Sequence, residues 1–406
     1  MALPFTELVD NLPECASPCA FEALNYTACA VTNFTSSCLC RDGGYIEMYR
    51  MCVRASCDMA HTLVAKNATW LWCGLPYHNQ TGNVVARIFV VGVTAFFFIV
   101  RQIVKMMGLS AWGLDDLTLV IGFLLSLSFA VSKFYGYELG FGRDVWSLSH
   151  EEITRFMQIF FAFEIIYIIN VAALKASILF FYQRVFHLVS PRFTVVLWCT
   201  QAFNLFACIA FTVAGLKQCT PMSYAWEGWD GRHEGYCLDL MAMLVSHSAV
   251  SIALDVWMLV LPATKVLWLN LRKRQKMEIL AMFGLGIVIT VVSIIRLKVL
   301  LSFRYFTDPT YNAFYLHMWS YIEISVGVIV ACLPSARQLW RELLPRIKRM
   351  IGLRPHLRPS QPGDSARRLK DILFLSGDQP SPTSGGFMTS STRTRSGGME
   401  DDGQRK

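Results

Sequence analysis

Eight cysteines, Cys15, Cys19, Cys29, Cys38, Cys40, Cys52, Cys57 and Cys73, crowd into the first 73 residues of a chain that holds 13 in all. Thiols at this density do one of two things: they close disulfides in an oxidising compartment, or they ligate a metal as thiolates. Four Asn-x-Ser/Thr sequons, at Asn25, Asn33, Asn67 and Asn79, share the same stretch. An even cysteine count and sequons confined to one segment point to disulfides and glycans in the secretory lumen. A second set of residues sits where charge is expensive. Asp115, Asp116, Lys133, Glu164, Lys175, Asp255, Arg296, Lys298 and Glu323 interrupt long apolar runs. Ionisable groups inside such runs face a bundle interior and serve either as ion pairs that fix helix packing or as parts of a switch. Asp115, Asp116 and Lys298 lie close enough to the ends of their runs to sit near the membrane interfaces instead. Hydrolase and nucleotide signatures are missing: the chain has no His-Glu-x-x-His, no Gly-x-Ser-x-Gly and no phosphate-binding glycine loop, so it reads as a non-enzyme. The run from Ala313 to Pro334 has no lysine, which excludes a retinal Schiff base there.

The elements that must position these residues follow from composition. With 54% hydrophobic and 16% charged residues and a mean hydropathy of +0.41, the chain is too apolar for a soluble domain of 406 residues. Seven apolar stretches of spanning length lie near 84–104, 114–137, 154–182, 193–216, 238–262, 277–301 and 313–334. The expected fold is therefore an all-α, seven-transmembrane-helix bundle behind a small, disulfide-rich helical N-terminal domain. Basic residues collect on alternate links: Arg101 and Lys105, then Arg184 and Arg192, then Lys265, Arg272, Lys273, Arg274 and Lys276, then Arg337 onward. By the positive-inside rule the N-terminus lies outside and the C-terminus inside. Met1 to Glu7 lacks the basic and apolar regions of a signal peptide, so either the first span translocates the tail or a leader precedes it. Cys219 and Cys237 bracket a Trp- and Gly-rich loop between the fourth and fifth spans, where a disulfide would brace the outer mouth. The organisation expected is 1–83 extracellular, 84–335 membrane bundle, and 336–406 a cytoplasmic amphipathic helix followed by a disordered tail. Trp340, Leu343, Leu344, Ile347 and Ile351, interleaved with basic residues, mark that helix as one lying on the anionic inner leaflet.

Two resemblances then become specific. The spacing C-x3-C-x9-C-x8-C-x-C-x11-C-x4-C-x15-C, with Pro13 before the first cysteine, resembles the CFEM domain of fungal surface proteins. The membrane part, to about residue 345, resembles the fungal Pth11-like receptors, a rhodopsin-like integral membrane family that includes a satratoxin-cluster membrane protein. The matching residues include Trp112-Gly113-Leu114-Asp115-Asp116, Gly140-Phe141-Gly142-Arg143 with Trp146, and Lys175-Ala176-Ser177 onward. Cys219-Thr220-Pro221, Asp255 with Leu261-Pro262, Arg296, Glu323 and Leu333-Pro334-Ser335 complete them. Asp144 departs from the family, which places His after Gly-x-Gly-Arg.

The resemblance implies a plasma-membrane receptor of a filamentous fungus that senses extracellular or host-surface cues and signals inward, through G proteins, in infection-related development and virulence. Its partners would be an extracellular ligand or surface, a heterotrimeric G protein at the inner loops (Arg272 to Lys276 above all) and membrane lipids, with no nucleic acid. Two alternatives stay open. One is a haem- or iron-handling surface protein, since secreted CFEM proteins hold haem iron through an aspartate between the third cysteine and the Cys-x-Cys pair. In that interval this chain offers only Asn33, a neutral amide that cannot offset ferric charge, so no cofactor is expected; Asp42 and His61 are the replacement ligands to consider. The other is an accessory membrane protein of a secondary-metabolite cluster.

Overall fold

The computed structural model describes residues 3–29, 34–78, 84–135, 140–186, 191–267, 273–303 and 308–350. Asn33, Asn79, Arg272 and the tail from 351 onward lie outside them, as do the side chains of Lys133, Lys265, Lys273, Arg274 and Lys276.

The N-terminal head is five short helices: α1 (Phe5–Asp10), α2 (Ser17–Ala23), α3 (Ser36–Leu39), α4 (Gly43–Ser56) and α5 (Met59–Trp72). The two longer ones start on aspartates. Asp42 accepts from the Gly44 amide at 2.9 Å to open α4, and Asp58 accepts from the His61 amide at 2.8 Å to open α5. Their inward faces carry Tyr45, Tyr49, Val53, Ala65 and Trp72 against Phe5, Leu8 and Leu39. So small a core cannot hold a fold alone and needs covalent staples. The eight cysteines supply them as Cys15–Cys57, Cys19–Cys52, Cys29–Cys38 and Cys40–Cys73. Trp72 also ties the end of the head to its start by donating its indole N–H to the Pro4 carbonyl at 3.0 Å.

Seven long helices follow: α6 (Val84–Met106), α7 (Leu114–Tyr135), α8 (His150–Phe186), α9 (Pro191–Leu216), α11 (Leu240–Leu267), α12 (Lys273–Phe303) and α13 (Pro309–Met350), with a one-turn α10 (Tyr224–Glu227) in the loop before α11. Six of the seven long helices are long and apolar enough among the described residues to cross a membrane, and α12 accompanies them as the seventh. The packing device at their centre is Leu174 of α8. A Cβ at Gly122 of α7 would fall 2.9 Å from its Cδ2, and one at Gly327 of α13 would fall 3.0 Å from its Cδ1. One leucine thus fills the notches left by two glycines, the small-residue contact by which membrane helices approach closely. Around it lie Leu119, Phe129, Leu179, Leu197, Ile324 and Val328.

Residues 336–350, expected as an amphipathic helix, are helical as part of α13 (Pro309–Met350). One expectation needs correction. Arg101 and Lys105, read as basic residues of the first inner link, are buried within the bundle, with 1% and 3% of their surfaces exposed.

Candidate functional site

Three polar assemblies line the path from the head through the bundle. The first is the seam between head and bundle. The loop after α7 carries Asp144, only 1% exposed, whose Oδ2 accepts from the His78 amide at 2.8 Å while its Oδ1 lies 3.2 Å from His78 Nδ1. Where the family pattern puts histidine, this chain has a carboxylate, and the imidazole arrives from the segment that follows the head. The His78 ring packs between Trp70 of α5 and Tyr311 of α13, with ring centres 5.9 and 5.5 Å away. Lys66 sets its ammonium 3.2 Å over the Trp146 ring, a cation–π contact, and Trp146 stacks obliquely on Trp70 at 5.0 Å. Burial pulls the Lys66 ammonium below its usual range, against the opposing charges of Asp308 and Asp144. Asp308, just ahead of α13, accepts from the Val145 and Tyr311 amides at 3.2 and 3.3 Å. Its burial, reinforced by the neighbouring Asp144 carboxylate, raises its carboxyl to about 6. At the rim Arg232 reaches Asp58 at 3.2 Å, and Trp229 donates to Thr154 at 3.1 Å. The Arg232 loop is closed by a Cys219–Cys237 disulfide over a two-residue antiparallel ladder.

The second assembly lies in the bundle interior, where four of the charges singled out in the sequence meet. Lys175 of α8 pairs with Asp255 of α11 and donates to the Ser251 carbonyl at 2.9 Å. Ser293 of α12 places its hydroxyl 3.1 Å from Asp255 and 2.6 Å from Glu323 of α13. Glu323 also accepts from the Tyr167 hydroxyl at 2.7 Å and lies 3.6 Å from Arg296 of α12. Arg296 donates to Ser320 and Ser248, each at 2.9 Å, and lies with its guanidinium 3.8 Å over the Tyr167 ring. Two cations and two carboxylates, each 6% exposed or less, are bound into one network across four helices. Desolvation of this kind is tolerated only when every charge has partners, so the helices are locked to one another through it. The hydroxyls of Tyr167, Ser248, Ser293 and Ser320 were not singled out in the sequence. Their signal is spacing: Ser293 and Ser320 each stand three residues before a charged residue of the network, on the same helix face.

Asp115 and Asp116 belong to a third assembly at the other end of α6. Arg101 donates to both, at 2.5 Å to Asp115 and 2.7 Å to Asp116, and also to the Ala331 carbonyl. Lys105 adds a 2.6 Å pair with Asp116, and Ser177 donates to the Asp115 carbonyl at 2.7 Å. The Trp-Gly-Leu-Asp-Asp motif therefore clamps α6, α7, α8 and α13 together.

Between the seam and the central network, α7, α8, α9, α11, α12 and α13 border a partly open space of about 540 Å³, adjoining solvent included. Its walls are largely aromatic, and Arg296 and Tyr167 of the network form one side of it. A molecule in that space would therefore touch the network directly.

The sequons are placed unevenly. Asn25 is exposed in a 3₁₀ turn (Leu24–Tyr26), whereas Asn67 lies inside α5, partly buried, and accepts from the Tyr77 hydroxyl at 2.6 Å. Asp42 is taken up by its local structure: besides the helix cap it accepts from Thr27 at 2.5 Å and the Ala28 amide at 2.6 Å. Those bonds, the Thr27 one foremost, hold its carboxyl below the usual range. His61 is held by Asp58 at 2.5 Å.

Residues 100–342 match the model of the fungal rhodopsin domain, and residues 8–74 match that of the CFEM domain. Among curated relatives, an SAT4 family membrane protein of Emericella nidulans is 27% identical over 55% of this chain and 56% of its own length. Satratoxin biosynthesis SC1 cluster protein 4 of Stachybotrys chartarum is 26% identical over 45% of this chain and 63% of its own. Receptor GIN3 of Arthrobotrys oligospora is 23% identical over 57% of this chain and 56% of its own. The chain thus spans little more than half the length of the curated relatives it matches, and no solved structure matches it. The fungal rhodopsin model alone covers more than half of the chain, which therefore belongs to the fungal rhodopsin domain family and carries a CFEM domain ahead of its helix bundle.

Proposed function

We propose that the protein is a cell-surface receptor of a filamentous fungus whose head and bundle act as one sensor, with the N-terminus outside and the C-terminus inside the plasma membrane. The single observation that carries this reading is the seam. The buried carboxylates Asp144 and Asp308 of the bundle form one continuous contact with the exposed His78 after the head and the half-buried Lys66 and Trp70 within it, so a cue that shifts the head must rearrange the loop entering α8 and the start of α13. Those two helices also carry Lys175, Tyr167 and Glu323 of the central network, which gives the disturbance a route inward. Similarity to a protein named as a receptor supports the reading. Inward signalling through a heterotrimeric G protein at the inner loops, in infection-related development and virulence, belongs to the same proposal, as does glycosylation of the head.

The head reads as a recognition module without haem. Asn33 takes the neighbourhood of the family's ligating aspartate, and Asp42 does not fit as its replacement because four donors already use its oxygens. A second reading, an accessory membrane protein of a biosynthetic cluster, is favoured by relatives whose names carry such clusters. A deletion strain scored for infection-structure formation, cyclic AMP response and metabolite output separates the two. The receptor reading expects the first two to fail and to return with the full chain but not with a version lacking residues 1–83. Loss of metabolite output alone would favour the cluster reading.

A further inference from the structure

The interior cavity has a chemistry that narrows what it would hold. Phe160, Phe163, Glu164 and Tyr167 recur at three- and four-residue spacing, so one face of α8 presents aromatic rings with a single carboxylate among them. Glu164 is 7% exposed and its carboxylate already bonds the Gln218 side chain, yet among the described residues its Oε1 has no hydrogen-bond partner, although it lines the cavity. A buried acceptor left without a donor is costly, so this oxygen calls for a donor from inside the cavity. The neighbouring charges restrict the donor's kind. Arg296 lies along the same wall and disfavours a cation. Its guanidinium is already used by Ser248, Ser320, Glu323 and the Tyr167 face, and Glu164 repels an anion. Neither charge sign is welcome, while Phe129, Phe211 and Leu316 make much of the remaining wall apolar and His247, His317 and Ser320 add a few polar atoms to it.

We propose that this cavity binds a neutral, hydroxylated but otherwise apolar small molecule, its hydroxyl donating to Glu164 and its body lying among the aromatic rings of α7, α8 and α9. The proposal rests on the receptor reading for its consequence, since the bound molecule would press on Arg296 and Tyr167, but binding itself is independent of signalling.

The test uses the full chain in lipid nanodiscs with no signalling partner, and two matched probes, 1-naphthol and naphthalene, in equilibrium binding with excess unlabelled competitor. The expected result is one saturable 1-naphthol site per chain, at least about tenfold tighter than naphthalene, which a buried charge-assisted hydrogen bond supplies. Glu164→Leu should erase the tenfold preference while naphthalene still binds, Glu164→Gln should restore part of it, and Leu316→Trp should abolish both probes by filling the space. Equal affinity for the two probes in the unaltered chain, no saturable binding of either, tighter binding of 1-naphthoate, or a preference that survives Glu164→Leu would each overturn the proposal. A receptor that fails to signal in cells would leave these binding results untouched, so the two readings fail separately.

Discussion

Lys175 and Asp255 give the sharpest handle on the interior network, because their pairing can be cut from either side. Lys175→Met removes the cation and leaves Asp255 buried beside Ser293, while Asp255→Asn removes the anion and leaves an ammonium 5% exposed that faces a neutral amide and the Ser251 carbonyl. Removing one partner of a buried pair typically costs about 3–5 kcal/mol, most of it the penalty of the charge left behind. If the costs were independent, the double variant would lose about 6–10 kcal/mol. Because the second substitution removes the orphaned charge, the double variant should instead cost little more than either single one, a coupling of at least about 2–3 kcal/mol. The assay is thermal unfolding of the purified full chain in one fixed detergent, with each single variant expected to lower the midpoint by on the order of 10 °C. Additive losses in the double variant would refute the pairing as the source of the effect.

The seam should respond to pH. Asp308, raised to about 6, holds a proton in the folded chain that the unfolded chain releases near 3.8. Its contribution is therefore complete below about pH 4 and lost as pH rises through about 6, at about 1.4 kcal/mol per unit of displacement. Unfolding midpoints measured from pH 4.5 to 7.5 should accordingly fall more steeply in the unaltered chain than in Asp308→Asn. Gly122→Ala drives a methyl to within 2.9 Å of Leu174 and should cost about 1–3 kcal/mol, with partial rescue by a Leu174→Val partner, read as a midpoint shift. Removing the Cys40–Cys73 bridge, which spans 33 residues, should cost the head about 2–4 kcal/mol and expose it to protease while the bundle stays intact on gels. Arg101→Leu removes the guanidinium shared by two carboxylates, leaving Asp116 to Lys105 and Asp115 to the looser 3.6 Å contact with Arg184, and a loss of about 3 kcal/mol is expected unless Asp115→Asn accompanies it.

Much of the architecture was legible because each of its physical demands leaves a mark in the sequence. A membrane span needs a continuous apolar run, and a core too small for its surface needs cysteines, so helices and staples announce themselves. Lys175, Asp255, Arg296 and Glu323 stood out because charge in an apolar run is costly, and the same cost brought them together. Arg101 and Lys105 misled for the opposite reason: placed at the end of a span, they look like inner-link cations, and only packing shows that Asp115 and Asp116 have drawn them inside. His78 gave no signal, because a lone histidine after a cysteine-rich segment has no period or partner in sequence. Its carboxylate stands 66 residues away, and folding alone brings them within 3.2 Å. The cavity was equally silent, since empty space depends on how Phe129 of α7, Phe211 of α9 and Leu316 of α13 face one another across the bundle.

The central claim, that head and bundle form one sensor through the seam, is tested most directly by cyclic AMP accumulation after transfer to an inductive surface. The comparison is a deletion strain carrying either the full chain or an Asp144→Asn, His78→Ala form matched for abundance at the cell surface. The expected result is a full response with the first and a lost or strongly reduced response with the second, the head remaining folded by protease resistance. An undiminished response with the seam cut would contradict the claim.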